Sequence, residues 1–545
     1  MELTTDYRQK LDALLQPWNR SDAPGLIIGV AHRGRAIYRR GFGLASVQQG
    51  QANTPLTRMR IGSTSKHFAC LSALLLAEDG QLDIDAALRR YLPELDGISG
   101  EPTLRECMQH VSGLRDPNDL LLLMVNKSWN NIPAPGHLLQ LGRRLDSLNF
   151  PRGERMIYNN QGYHLLTRVI ERISGMAYGD FLRERILSPM RMHDTALLPS
   201  DYTLLPGLAD LHLKDGDGWR RGLFPSEELL GEGGMVSTID DMLTWLVHLR
   251  SPDKTVGNAS SWEQMLRKPR YSSGAEGDYC LGLVRECWRG IEIVHHAGGV
   301  IGGNSQMLTV PAHELDVIVL CNRNDASSPV LANRIVETLL GEALEPVAAP
   351  AARPDLLGRW YAPDSRRLIG LLETPTLGEA TPALALSVHG QALGLVTERD
   401  GQWVMSCSAH GRIAVTLPTE EQPDSLQGSD NGHAEIWQRL PDSGPAVEAL
   451  AEDLVGRYRE TELGVEVAIV LIDGALHIDL LPVSGHSRLR LTPYTMDVCG
   501  FVHESNAFAT YPLVGSLAIE RREDRVTGLW LNSARTRNLR LERHA

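Results

Sequence analysis

Strand-like runs stand at both ends of a long helical stretch, and that arrangement limits the folds open to this chain. After Pro24-Gly25 comes the apolar run Leu26-Ile27-Ile28-Gly29-Val30-Ala31, then a turn at Arg33-Gly34 and a second strand pattern at Ala36-Ile37-Tyr38, which together read as a hairpin. An amphipathic helix over 7–16 leads into it. Residues 65 to about 250 read as mostly helical, interrupted by proline- and glycine-rich loops. Strands return over 281–284, 291–295, 306–310 and 317–320, and a helix over 330–340 follows them. A sheet assembled from distant parts of the chain with helices inserted between is an α+β domain, expected over 1–345.

The stretch from Glu345 to Pro354 is rich in proline and alanine and reads as a linker. Beyond it the helical period fades and the chain repeats itself. Asp355-Leu356-Leu357-Gly358-Arg359-Trp360-Tyr361 returns 98 residues later as Asp453-Leu454-Val455-Gly456-Arg457-Tyr458-Arg459. Each copy closes on an alternating strand, Ile436-Trp437-Gln438-Arg439 and Leu539-Arg540-Leu541-Glu542, and Pro441-Asp442-Ser443-Gly444-Pro445 separates the two. Two small antiparallel β-barrel domains are expected, over 355–442 and 450–545. They hold no catalytic constellation, so scaffold or oligomer contact, a homodimer included, is the role expected of them.

Chemistry is expected first at Ile61-Gly62-Ser63-Thr64-Ser65-Lys66-His67-Phe68. A helix starting near Ser65 and stopped by Gly80 would place Ser63 and Lys66 on one face. A serine hydroxyl needs a proton acceptor to be nucleophilic, and a desolvated lysine can be one. Ser-x-x-Lys is weak by itself, and Ser251-Pro252-Asp253-Lys254 is a second copy whose Pro-Asp centre marks a solvated loop. Two further stretches stand out. Tyr158-Asn159-Asn160 precedes a helix with apolar Leu165, Leu166, Val169, Ile170 and Ile173 and a stop at Gly175; taken alone it is also a turn with a cap. Val294-His295-His296-Ala297-Gly298-Gly299 ends a strand at a glycine-rich corner. Neighbouring strand residues face opposite sides of a sheet, so the histidine pair is not read as a metal site, and no cofactor is expected.

Composition excludes other classes. A net charge of −13 with no arginine stripe among aromatics argues against nucleic acid. No apolar run reaches the length of a membrane span. The first residues lack a basic start and an apolar core of a leader, and the seven cysteines show no Cys-x-x-Cys pair. A cytoplasmic location is the expectation.

Taken in order, Ser63-x-x-Lys66, Tyr158-x-Asn160 and His296-x-Gly298 resemble the motifs of the serine β-lactamase and penicillin-binding-protein superfamily. Tyrosine in the second motif matches its class C, esterase and D-amino-acid peptidase branch. Pro24-Gly25, His110-Val111-Ser112-Gly113-Leu114, Asn160-Gln161-Gly162-Tyr163 and Glu232-Gly233-Gly234-Met235-Val236-Ser237-Thr238 agree with it, over roughly residues 5–342. The layout with two C-terminal barrels is similar to the bacterial D-aminopeptidase family. That resemblance implies release of an N-terminal D-residue, D-alanine preferred, from small amides, esters and peptides. It further implies that Ser63 forms an acyl-enzyme, that Lys66 and Tyr158 share the base role, and that Asn160 holds Lys66 and the substrate amide. The backbone N–H groups of Ser63 and Gly299 would form an oxyanion hole. A last-barrel loop near 502–513 would bind the substrate ammonium, with Glu504 the nearest acidic candidate and Asn506 where an aspartate is expected.

His296-Ala297-Gly298 stands where that superfamily often has Lys-Thr-Gly. An imidazole largely neutral at pH 7 replaces a permanent cation, and the threonine hydroxyl is gone. The site should therefore bind a free carboxylate poorly, which leans towards an amide or ester hydrolase, with His296 expected to steady Tyr158. A broad esterase or weak β-lactamase is the alternative within the same chemistry. A non-catalytic binding protein of the same fold is the alternative outside it.

Overall fold

The computed structural model describes residues 6–125, 136–223, 227–346, 354–374, 383–399, 401–407, 410–416, 418, 421–480, 487–503 and 513–544. A six-stranded antiparallel sheet organises its N-terminal part, in the order Val284–Trp288, Ile291–Val300, Gly303–Val310, Leu315–Cys321, Leu26–His32, Arg35–Phe42. Leu26–His32 pairs with Leu315–Cys321, Ile28 opposite Val319, so strands from the two ends lie side by side. Arg33 and Gly34 both take positive φ in the tight turn of the hairpin.

Strand alternation splits the apolar runs between two cores. Leu26, Ile28, Val30, Val317 and Val319 face helices Tyr7–Leu15 and Ser328–Leu340. Ile27, Ile318 and Leu320 face the helical region, which contains Lys66–Glu78, Gln161–Ser174 and Ile239–Arg250. A sheet covered on both faces needs nearly continuous apolar strands, which is why Leu26 to Ala31 scarcely alternates in the sequence.

One expected strand is misplaced. Leu281 and Leu283 are apolar because they pack in the core of the helical region, with Gly282 against the start of helix Lys66–Glu78, and the edge strand runs over Val284–Trp288 instead. The helical region also contains a hairpin, Leu211–Asp215 with Gly218–Gly222.

The repeat is structural as well as sequential. In the first copy nine strands form a nearly closed barrel around Trp360, Trp403 and Trp437. In the second, eight strands from Gly456–Glu460 to Leu539–His544 close completely. In both, the first strand pairs with the last, Trp360 with Arg439 and Tyr458 with Arg543. The repeated residues do the same work twice. Trp360 Nε1 donates to the Leu356 carbonyl at 3.2 Å and Tyr458 Oη to the Leu454 carbonyl at 2.8 Å. Arg439 caps the carbonyls of Asp355 and Leu357 as Arg543 caps those of Asp453 and Val455. The helix Val447–Leu454 that runs into the second copy is concealed in the sequence by its Pro/Gly-rich approach.

All three parts meet at a buried ionic cluster. Arg155 reaches Asp430 at 2.9 Å and Glu435 at 2.8 Å, while Arg367 and Arg537 lie 3.3 and 3.7 Å from the same Asp430. Burial opposes ionisation of Asp430, yet the three guanidinium groups hold its carboxyl down to about 2. Among the described residues no helix is long and apolar enough to cross a membrane.

Candidate active site

Ser63 lies in a short 3-10 turn, Gly62–Ser65, that feeds directly into helix Lys66–Glu78. The turn is pressed against strand Ile291–Val300, and two glycines make this contact. Gly62 has φ +54, and a Cβ there would stand 2.9 Å from the Gly299 nitrogen and oxygen. A Cβ on Gly298 would meet the Ile61 carbonyl oxygen at 1.9 Å and Ser305 Oγ at 2.4 Å. Ser305 Oγ donates to that carbonyl at 2.7 Å and contacts Thr64 Oγ1 at 3.0 Å, tying the turn to the sheet. Ser63 itself stays partly exposed.

Lys66 is fully buried beneath it. Its Nζ donates to Ser63 Oγ at 3.1 Å, to Asn160 Oδ1 at 2.8 Å and to the Glu232 carbonyl oxygen. It lies 4.8 Å from the centre of the Tyr158 ring and 5.1 Å from that of Tyr163. Burial lowers its proton affinity so far that it titrates at about 7, against the opposing pull of Glu232. Ser63, Lys66, Tyr158 and Asn160 are thus gathered at one place. The second Ser-x-x-Lys is not part of it: Lys254 Nζ caps the carbonyls of His248 and Leu249 at 2.7 Å each.

His296 is nearby but its partner is not the expected one. Its ring centre is 6.4 Å from that of Tyr158, and its Nε2 accepts from Tyr279 Oη at 2.8 Å while Nδ1 donates to the Ala297 carbonyl at 2.6 Å. Tyr279 is closer because the bridge between Tyr279 and Val284 folds that loop over the strand. Burial, with Lys66 nearby, keeps the His296 imidazole well below its ordinary value and therefore neutral. The edge strand pairs no further than His295 opposite Val284. Among the described residues His296 to Gly299 therefore form an open sheet edge beside Ser63. His295 faces the other way, towards Glu286 and Gln306.

Asp116 and Arg535 carry no legible sequence signal, and His110 stands out only through the resemblance of its surroundings. Asp116, fully buried, accepts from the Asn160 backbone N–H at 3.0 Å and from Asn160 Nδ2 at 3.3 Å, which orients the amide that holds Lys66. His110 Nδ1 accepts from the Asn159 N–H at 3.1 Å, and its ring lies 4.2 Å from that of Tyr158. Arg535, from the closed barrel, lies over Tyr158 with its guanidinium carbon 5.1 Å from the ring centre. Glu504 and Asn506 lie outside the described residues.

The Beta-lactamase family profile matches residues 8–340. The chain belongs to the β-lactamase family. It is 28% identical over 461 residues to a D-aminopeptidase of Brucella canis, spanning 83% of this chain and 82% of that protein. It is 27% identical over 536 residues to a D-aminopeptidase of Cereibacter sphaeroides, spanning 96% and 95%. The octameric penicillin-binding protein homologue from Pyrococcus abyssi shares the fold at TM-score 0.53 and 19% identity, covering 98% of this chain and 99% of that one. That likeness spans the barrels of this β-lactamase family member as well as its sheet.

Proposed function

We propose that this protein is a serine hydrolase that releases an N-terminal D-amino acid, D-alanine preferred, from peptides and small amides or esters. The observation that carries the chemistry is the buried Lys66 amine 3.1 Å from Ser63 Oγ, able to lose its proton near neutral pH. In this reading neutral Lys66 accepts the Ser63 proton as Oγ attacks the carbonyl. The N–H groups of Ser63 and Gly299 receive the developing oxyanion, each contributing on the order of 3 kcal/mol. Tyr158 gives its proton to the leaving amine and recovers one from Lys66; water then attacks the acyl group, losing a proton to Lys66, which passes it to the departing Ser63 Oγ. The D-aminopeptidase names of relatives that span most of the chain support the amide class and its stereochemistry.

A second reading, a broad esterase or weak β-lactamase, is favoured by Arg535: a guanidinium against Tyr158 is a poor neighbour for a substrate ammonium. One substrate panel separates the two. D- and L-alanyl p-nitroanilides, p-nitrophenyl butyrate and nitrocefin are compared on wild type and Ser63→Ala. The proposal expects the D-anilide to exceed the L-isomer by at least about tenfold, with turnover lost in Ser63→Ala. Equal rates on both isomers would defeat it, and turnover of ester or nitrocefin alone would establish the alternative.

The pH dependence follows from Lys66. Its amine is the base only when unprotonated, so kcat/KM should fall as pH drops through about 7. A pH profile whose acid limb lies near 5 would assign the proton acceptor elsewhere.

A further inference from the structure

The segment between the last two strands of the closed barrel, Ser533 to Asn538, is locked into the N-terminal domain. Ser533 Oγ and Thr536 Oγ1 both donate to Asp119. Asn149 receives the Arg537 N–H at 2.8 Å and donates to the Arg535 carbonyl at 2.9 Å, and Arg115 donates to the Arg537 carbonyl at 2.7 Å. These bonds fix the backbone on both sides of Arg535. Its side chain then runs to Asp116, Nη1 to Oδ2 at 3.5 Å, and across the Tyr158 ring.

Asp116 has a structural duty, since it orients Asn160 through two hydrogen bonds. An anion that close, however, also favours a charged ammonium on Lys66, as does Glu232. A charged Lys66 cannot accept the Ser63 proton. A fixed guanidinium beside Asp116 offsets that anion while leaving its acceptor oxygens in use. We propose that Arg535, supplied by the C-terminal barrel, is a positioning residue of the catalytic apparatus. Its permanent charge offsets Asp116 and disfavours a second cation at Lys66. This role rests on the reading of Ser63 and Lys66 as nucleophile and base, and it gives the barrel a part in the chemistry beyond scaffold.

Among the described residues the groups facing Lys66 are Glu232, Asp116, Arg535, Cys70, Ser63, Asn160 and the rings of Tyr158 and Tyr163. His110 and His296 also lie within its field but are neutral through burial. Of these only Arg535 brings a permanent positive charge, and it opposes the two carboxylates.

The test reads Lys66 directly. The chain has six lysines, so the full-length protein labelled with ε-13C-lysine gives a sparse spectrum in which Lys66 is assigned by Lys66→Met. Arg535→Gln should move the Lys66 midpoint up by about half a pH unit or more, and the acid limb of kcat/KM should follow it. Arg535→Lys should restore the wild-type midpoint. Asp116→Asn should move it the opposite way, and Arg535→Gln with Asp116→Asn should return it towards wild type. Thr536→Val, which loosens the same loop without removing charge, should leave the midpoint in place. An unmoved midpoint in Arg535→Gln, or an equal shift in Thr536→Val, would overturn the proposal. The titrations are repeated in Ser63→Ala, where they need no turnover. Failure of the hydrolase reading shows separately, as absence of fluorophosphonate labelling at Ser63 in wild type.

Discussion

Replacing Lys66 by methionine should lower kcat/KM by about 10³–10⁴-fold, the scale of a lost general base acting on an otherwise inert hydroxyl. Methionine fills nearly the same volume in a position with no solvent exposure, so the fold should survive. The change leaves Asn160 Oδ1 and the Glu232 carbonyl without the amine they share, a cost of about 1–3 kcal/mol per buried acceptor. It also removes an amine that burial disfavours whenever it is charged. These terms oppose one another, so stability should change far less than activity. Lys66→Arg should not rescue, because a guanidinium does not lose its proton in the accessible pH range. The measurement is kcat/KM on the preferred substrate, with the rate of fluorophosphonate labelling of Ser63 as a second readout. Retention of a tenth of wild-type activity in Lys66→Met would remove the amine from the mechanism.

Gly298→Ala should also be damaging, though less so, and for a different reason. The added Cβ would sit 1.9 Å from the Ile61 carbonyl oxygen, a backbone atom that cannot swing aside. Either the strand or the Ser63 turn must retreat, and the bond from Ser305 to Ile61 goes with it. A displacement near 1 Å between nucleophile and oxyanion donors costs on the order of 10²-fold in rate. The strain should also cost about 1–3 kcal/mol of stability, as overpacking does. Gly341→Ala is the control, since a Cβ there meets nothing within 4 Å. Thermal denaturation and kcat/KM on both variants check the expectation. Unchanged activity in Gly298→Ala would show that the contact between turn and strand does not hold the site together.

Tyr279 and Arg535 show where linear reading stops. The motif reading expects His296 to steady Tyr158, but the hydrogen bonds of its ring go to Tyr279 and Ala297. Nothing near Tyr279 in the sequence marks it, because its role comes from a loop folding back over the strand. Arg535 is one arginine among many in a segment with no motif, and it gains meaning only through a contact 419 residues away along the chain.

Local chemistry was legible in the sequence because it depends on short-range geometry. An i,i+3 spacing puts a serine and a lysine on one turn, glycines mark close backbone approaches, and a duplicated segment repeats its own hydrogen bonds. From such patterns the sheet built of distant strands, the twin β modules and the pair Ser63 and Lys66 could be read, whereas Tyr158 and Asn160 joined that pair only through the resemblance of the ordered motifs to the superfamily. The tertiary structure alone decided which neighbours tune that cluster: the buried carboxylate that orients Asn160, the phenol that engages His296, and the cation delivered by the last barrel. Desolvation and charge act across space, and the distance between Lys66 and Arg535 is set by packing among segments that no local pattern connects.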